Sequence, residues 1–233
     1  MKLFPSMVHT FLGLALLATP SLVQAGSVLV PGAPGGGISI SVKSMKEARF
    51  RKTVRQKYDF SCGSAALATL LTYHYEDPVQ EQEVFDKMFD VGDQQKIRRV
   101  GFSMLDMKKF LEDRGYSAAG YKASLDKLAA VGIPAITLLN MEGYKHFVVI
   151  KGVTKTEVLV GDPSLGAKVY ARAEFDTMWN GLLFLIRSKK NVASNHFNRE
   201  RDWQVNEKAP LGMALTASDL ANITLLAPGR AGL

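Results

Sequence analysis

Four residues of this chain have types and spacings that combine into one piece of chemistry. Cys62 is the only cysteine, and it stands in "RQKYDFSCGSAALATLL" (55–71), followed by glycine, serine and two alanines. Such a texture opens a helix, where unpaired backbone N–H groups and the positive end of the macrodipole meet. Both favour the thiolate, the nucleophilic form of cysteine. A small buried hydrophobe among small neighbours is the plainer reading. The stretch by itself leaves both open.

A nucleophilic thiol needs an imidazole within hydrogen-bond reach and an orienting acceptor behind it. Of the four histidines, His9 lies in the N-terminal apolar segment and His196 in a polar stretch expected to be loose. His74 is twelve residues beyond Cys62 on the same expected helix. At 1.5 Å of rise per residue that is about 18 Å, too far. His146 remains. It opens "HFVVIKGVTKTEVLVGDP" (146–163), two short strands joined by a turn near Val153–Lys155. Thr154 is the midpoint between His146 and Asp162. A regular hairpin therefore sets the two directly opposite, with Cβ atoms about 4.5–5.5 Å apart. That suits a carboxylate accepting the Nδ1 proton. Asp162-Pro163 also reads as the start of a turn, and the two roles are compatible.

Other carboxylates are worse placed, Asp59 being too near Cys62 in sequence and Asp176 falling in a surface helix. Gln56 lies six residues before Cys62. Its side-chain amide, beside the N–H of the cysteine, would supply the donors that a developing oxyanion requires. Alone it reads as a solvated glutamine in a basic loop. The histidines show no metal-ligand spacing, and one cysteine excludes a disulfide scaffold or a thiolate-cluster zinc site. No metal or cofactor is expected.

The elements that must hold these residues read as follows. Residues 26–37, rich in Gly and Pro, form a flexible lead-in, and "ISISV" (38–42) alternates as a short strand would. Helices are expected over 62–75, 79–90 and 103–114, with Ser103 and Asp106 as a capping pair and Gly115 closing the third. From about 116 the texture changes to short Val- and Ile-rich runs. Strands are expected in 115–121, 133–140, 145–152, 156–163, 167–171 and 181–187, and helices in 124–131 and 173–179. Helices first, then an antiparallel meander, make an α+β domain. Residues 189–233 are polar and then apolar ("GMALTASDLANITLLAP"), either an added helix or a partner-binding segment. There is no internal repeat.

Residues 1–25 read as a secretory signal peptide cleaved after Ala25, with a retained anchor as the alternative. An anchor needs an apolar span of about 18 residues or more, and Pro5, His9 and Pro20 interrupt this one. The expected location is the periplasm, with no stable membrane span after cleavage. The formal charge of +7 includes Lys2, leaving +6 after cleavage. Nucleic acid is not an expected partner of an exported chain. The basic run in 43–57 reads as a solvated arm, with an acidic substrate or anionic lipid as the less ordinary alternative.

Taken together, "Q-x5-C-G-S-A-A-L", "K-H-F-V-V-I" and "V-L-V-G-D-P-S-L-G" resemble the bacteriocin-processing cysteine peptidases, family thirty-nine. The resemblance spans about 54–187 and implies a papain-like fold. It implies Cys62 as nucleophile, His146 as general base, Asp162 as its orienter and Gln56 as oxyanion donor. Known members often form the N-terminal part of ATP-driven exporters and cut leaders after Gly-Gly. This chain departs from them, lacking transporter helices and a nucleotide-binding domain. Its "GDPSLGAKV" fails the phosphate-loop spacing, so ATP is not an expected ligand. A free-standing, exported architecture is similar to the periplasmic peptidases of functional-amyloid secretion.

The expected organisation is a signal peptide (1–25), a basic lead-in (26–53), a peptidase domain (54–188) and a C-terminal extension (189–233). The expected function is a thiol endopeptidase acting on exported, Gly-rich polypeptides such as amyloid subunits, with secretion-machinery proteins as partners, contributing to fibril and biofilm formation. An inert peptidase-like module that binds without cutting is the competing class. A different acyl transfer, such as transglutamination or amide hydrolysis, is a third reading that residues cannot separate from proteolysis.

Overall fold

The computed structural model describes residues 27–30, 38–41 and 45–205. The expected signal peptide, Gly35-Gly36-Gly37 and the apolar stretch 212–228 lie outside them. Ser27–Val30 (β1) and Ile38–Ser41 (β2) pair antiparallel, so the segment read as a flexible lead-in holds one arm of a hairpin. These strands belong to a separate N-terminal unit, which ends at Lys43.

The second unit begins with Met45–Arg49 (α1), inside the run read as a solvated basic arm. That run is structured instead. The Lys52 ammonium donates to Asp202 at 2.6 Å and the Arg55 guanidinium lies 5.6 Å from the Phe50 ring centre. Cys62–His74 (α2) is buried over almost its whole length. Small residues make this possible. A Cβ added to Gly63 would lie 2.9 Å from Met107 Cε and 3.0 Å from Phe102 Cβ, so nothing larger fits that turn unmoved.

Glu81–Val91 (α3) and Met104–Asp113 (α5) pack on α2, and Gln94–Val100 (α4) packs on α3. The Ser103–Asp106 capping box forms as expected, each side chain meeting the other's backbone N–H. Helix α4 was not legible, because Ile97 is its only buried residue and leaves no apolar stripe to read.

Six antiparallel strands follow: Ala118–Lys122 (β3), Ala135–Met141 (β4), Tyr144–Val153 (β5), Glu157–Asp162 (β6), Gly166–Ala171 (β7) and Trp179–Ile186 (β8). Leu125–Val131 (α6) and Arg172–Met178 (α7) connect them, α6 capped by Ser124 and ended by Gly132 in the left-handed region. The sheet order is β3-β8-β4-β5-β6-β7. Strands β4 to β7 run as the expected meander, but β8 returns to separate β3 from β4. One core, with Phe147 and Val149, joins the sheet to α2, α3 and α5. A second, with Val148, Ile150 and Phe175, lies under α6 and α7. Helices packed on an antiparallel sheet make the α+β fold.

The chain does not leave the domain at residue 188. Lys190–Ser194 (α8) and Glu200–Trp203 (α9) flank Asn198, which sits in the left-handed region at φ 54°. Strand β4 ends opposite Ile150, and Asn198 continues its hydrogen bonding along β5. Its N–H donates to the Lys151 carbonyl at 3.0 Å. Its side-chain amide closes on both backbone groups of Val153, at 2.7 and 2.9 Å.

Candidate active site

Cys62 is the first residue of α2, and it is 5 % exposed. Ser61 precedes it as N-cap but turns its hydroxyl back to Tyr58, leaving the first turn of α2 without a side-chain cap. The cysteine borders a cleft of about 550 Å³. Asp59 and Phe60 line one side of it, the end of α4 another, and Gly143, Tyr144 and Lys145 a third.

His146, near the start of β5, is 2 % exposed and Asp162, the last residue of β6, is 1 % exposed. Nε2 of the imidazole lies 2.8 Å from Asp162 Oδ1. The pair forms, though not as a directly opposed one. Strand β5 carries a bulge between Ile150 and Gly152, and beyond it Val149 faces Gly161. Extending that register sets Asp162 opposite Val148, diagonal to His146, a separation that long side chains close. The nitrogen is also not the expected one. Asp162 takes the Nε2 proton, and Nδ1 is left buried without a hydrogen bond of ordinary geometry.

The same Asp162 Oδ1 accepts the backbone N–H of Ser164 at 2.7 Å and of Leu165 at 3.1 Å. The aspartate thus builds its own turn while it holds the imidazole. Burial works against its charge, but the hydrogen bonds from His146 and these two amides prevail and lower its pKa. For His146, burial favours the neutral ring. Hydrogen bonding and charge from Asp162, then from Cys62, outweigh it and raise the imidazole to about 9. At neutral pH the ring is protonated, with Nδ1 beside the cysteine.

Gln56 is tied to the same turn. Its N–H donates to the Pro163 carbonyl at 3.0 Å, and the Ser164 hydroxyl donates to its Oε1 at 3.0 Å. The Tyr58 carbonyl can only accept, so the amide end that faces it is the donor and the Ser164 hydroxyl meets the oxygen end. Nε2 then donates one proton to the Tyr58 carbonyl at 3.1 Å and has a second. Two contributors were missed in the sequence. Ser164 sets the amide, and Tyr144 stacks on His146 at 5.9 Å while its hydroxyl donates to the Asp59 carbonyl at 2.9 Å. Tyr144 lies two residues before His146 along the strand, and that spacing was the available signal.

The rejected histidines are accounted for. His74 occupies the far end of α2, fully buried, its Nδ1 donating to the His196 carbonyl at 3.2 Å. His196 is pinned rather than loose, with Nε2 2.9 Å from Glu76 Oε1. Among the described residues no group of three or more His, Cys, Asp or Glu is arranged to hold a metal ion.

Residues 51–191 match the model of the Peptidase C39 family. The chain belongs to that family. Its relatives include two proteins described as "Probable functional amyloid protease FapD". The one from Pseudomonas aeruginosa is 45 % identical over 172 residues, covering 73 % of this chain and 76 % of its own. The one from Pseudomonas fluorescens is 46 % identical over 174 residues, covering 74 % and 76 %. Among solved structures, a double-glycine-motif protease from an AMS/PCAT transporter, in complex with its leader peptide, is 29 % identical. That match covers 57 % of this chain and 89 % of that one, with a TM-score of 0.49. As a C39 member this chain is a cysteine peptidase, and Cys62 is its only cysteine.

Proposed function

We propose that this C39 peptidase is exported to the periplasm and cleaves polypeptides of a functional-amyloid system, with Cys62, His146, Asp162 and Gln56 as its machinery. The observation that carries the site assignment is the imidazole held by Asp162 through Nε2 at 2.8 Å, with Nδ1 turned toward the single cysteine. Attack by the Cys62 sulfur on a scissile carbonyl forms a C–S bond and an oxyanion. The Cys62 N–H and the second Nε2 proton of Gln56 receive that charge. His146 Nδ1 gives its proton to the departing amine as the C–N bond breaks, leaving a thioester. Water then attacks the thioester carbonyl as Nδ1 takes its proton, the C–S bond breaks to return the Cys62 thiolate, and the acid product leaves.

The names of the two Pseudomonas relatives support an amyloid subunit, or a component of its secretion, as substrate. A Gly-Gly pair before the cut suits a nucleophile recessed in a cleft wall, because only glycine brings the backbone so close. The 1–25 pattern supports export. Mature protein is incubated with candidate exported subunits, and fragment masses are read. Cleavage by wild type and none by Cys62→Ala, which keeps the fold, is the expected result. Unchanged substrates with both proteins would replace processing by the binding-module reading.

A further inference from the structure

The cleft beside Cys62 carries a charge pattern that the chemistry does not use. Arg98 and Arg99 at the end of α4, and Lys145 at the start of β5, all line it, against one lining carboxylate, Asp59. All three cations are exposed, and none has a carboxylate within 4 Å among the described residues. Elsewhere in this unit some cations are paired, as Lys52 with Asp202, Arg114 with Asp77 and Arg172 with Asp126, so what marks these three is their place around the cleft. Arg98 is also held in place, its guanidinium 5.0 Å from the Phe89 ring centre. Stacking on a ring face fixes the plane and leaves the N–H edge turned outward for a carboxylate. A cleft lined by one sign of charge focuses its field on whatever enters.

We infer that Arg98, Arg99 and Lys145 select a polypeptide carrying an Asp or Glu side chain close to the bond that is cut. The inference rests on the peptidase reading and narrows its substrate. A space of about 550 Å³ is roughly 8 Å across. An extended chain rises about 3.3 Å per residue, so the acidic side chain falls within about three residues of the scissile bond.

The test uses Gly- and Ser-rich peptides with one Gly-Gly pair, identical except for Glu or Gln at each of three positions on either side. Binding is measured by fluorescence anisotropy to Cys62→Ala protein, and cleavage with wild type, both at low and at high salt. At one or more positions Glu binds about five- to tenfold more tightly than Gln, the scale of two exposed ion pairs. The advantage shrinks at high salt. In Arg98→Glu/Arg99→Glu protein the preference reverses toward a Lys peptide. Equal binding of Glu and Gln peptides at every position in low salt overturns the inference. So does a preference that the double substitution leaves unchanged. A Glu preference in binding without cleavage by wild type sustains acidic recognition and sinks the peptidase reading instead.

Discussion

In the proposed mechanism Asp162 acts through the ring it holds as well as through the turn it builds, and the first role has a signature that plain structural damage lacks. The imidazole stays protonated to about 9 because Asp162 and Cys62 together outweigh the cost of burial. In the proposed mechanism the protonated ring is the form that donates to the leaving amine. Turnover should therefore fall on the alkaline side as His146 loses its proton near 9. Asp162→Asn withdraws the charge and keeps the shape. The alkaline limb of kcat/KM should move down toward neutral pH, read from pH–rate profiles of the two proteins. An unmoved limb would detach Asp162 from His146. Gln56→Ala should lower kcat by about 10²–10³-fold with little change in KM, as expected for one oxyanion donor. Ser164→Ala should cost less, because the amide remains and only its orientation is freed. Steady-state kinetics on one peptide would separate the two.

At the scale of elements, β5 carries His146 at one end and a bulge at the other, and the bulge is where the C-terminal extension docks. Asn198 makes three hydrogen bonds to Lys151 and Val153, in place of a β4 strand that stops at Ala135. Trp203 covers the same spot, where a Cβ on Gly152 would lie 2.9 Å from its Cζ2. Asn198→Ala leaves two partly buried backbone groups of Val153 without partners. It should cost about 1–3 kcal/mol, measured by urea unfolding. Asparagine tolerates the left-handed backbone there better than alanine does, which adds to the loss. A change under about 0.5 kcal/mol would mean that water replaces the clamp at no cost.

Across the whole molecule, three buried bases give stability a pH dependence of mixed sign. His146 has a folded pKa of about 9 against an ordinary 6.5. Its contribution is complete below about 6.5 and is lost as pH rises through 9, on the order of 3 kcal/mol. Lys151 runs the other way. It is 2 % exposed, its ammonium has one hydrogen bond, to the Lys52 carbonyl at 3.2 Å, and burial lowers its pKa to about 8. Its penalty is relieved as pH rises from about 8 toward 10.5. His74, lowered by burial and then by Lys151, penalises the fold as pH falls below 6.5. Thermal midpoints should separate the first two. Lys151→Met removes the alkaline gain, so its midpoint should fall steadily from pH 7 to 9, by roughly 5–10 °C. His146→Gln removes the alkaline loss and should rise from pH 8 to 10. Parallel curves for the two variants would refute both assignments.

The sequence by itself determined the candidate members of the site and the order of the elements apart from β1, α1, α4, α8 and α9. A single cysteine, three histidines eliminated by position and a strand–turn–strand ending in Asp162 leave few alternatives. Helix caps such as Ser103, Ser124 and Gly132 are local, and local hydrogen bonding reads directly from short segments. The tertiary structure decided what depends on distant partners. Asp162 meets His146 diagonally and through Nε2, because one bulged residue shifts the ladder and a sequence midpoint cannot count it. Ser164 orients Gln56 across 108 positions. Strand β8 enters between β3 and β4, a choice made by packing rather than by its own pattern. The basic segment 45–53 and the tail to Trp203 became part of the fold because Asp202 and Asn198 offered charge and hydrogen-bond partners to residues about 150 and 45 positions away. Long-range pairing of polar groups has no period along the chain, so only the folded backbone could reveal it.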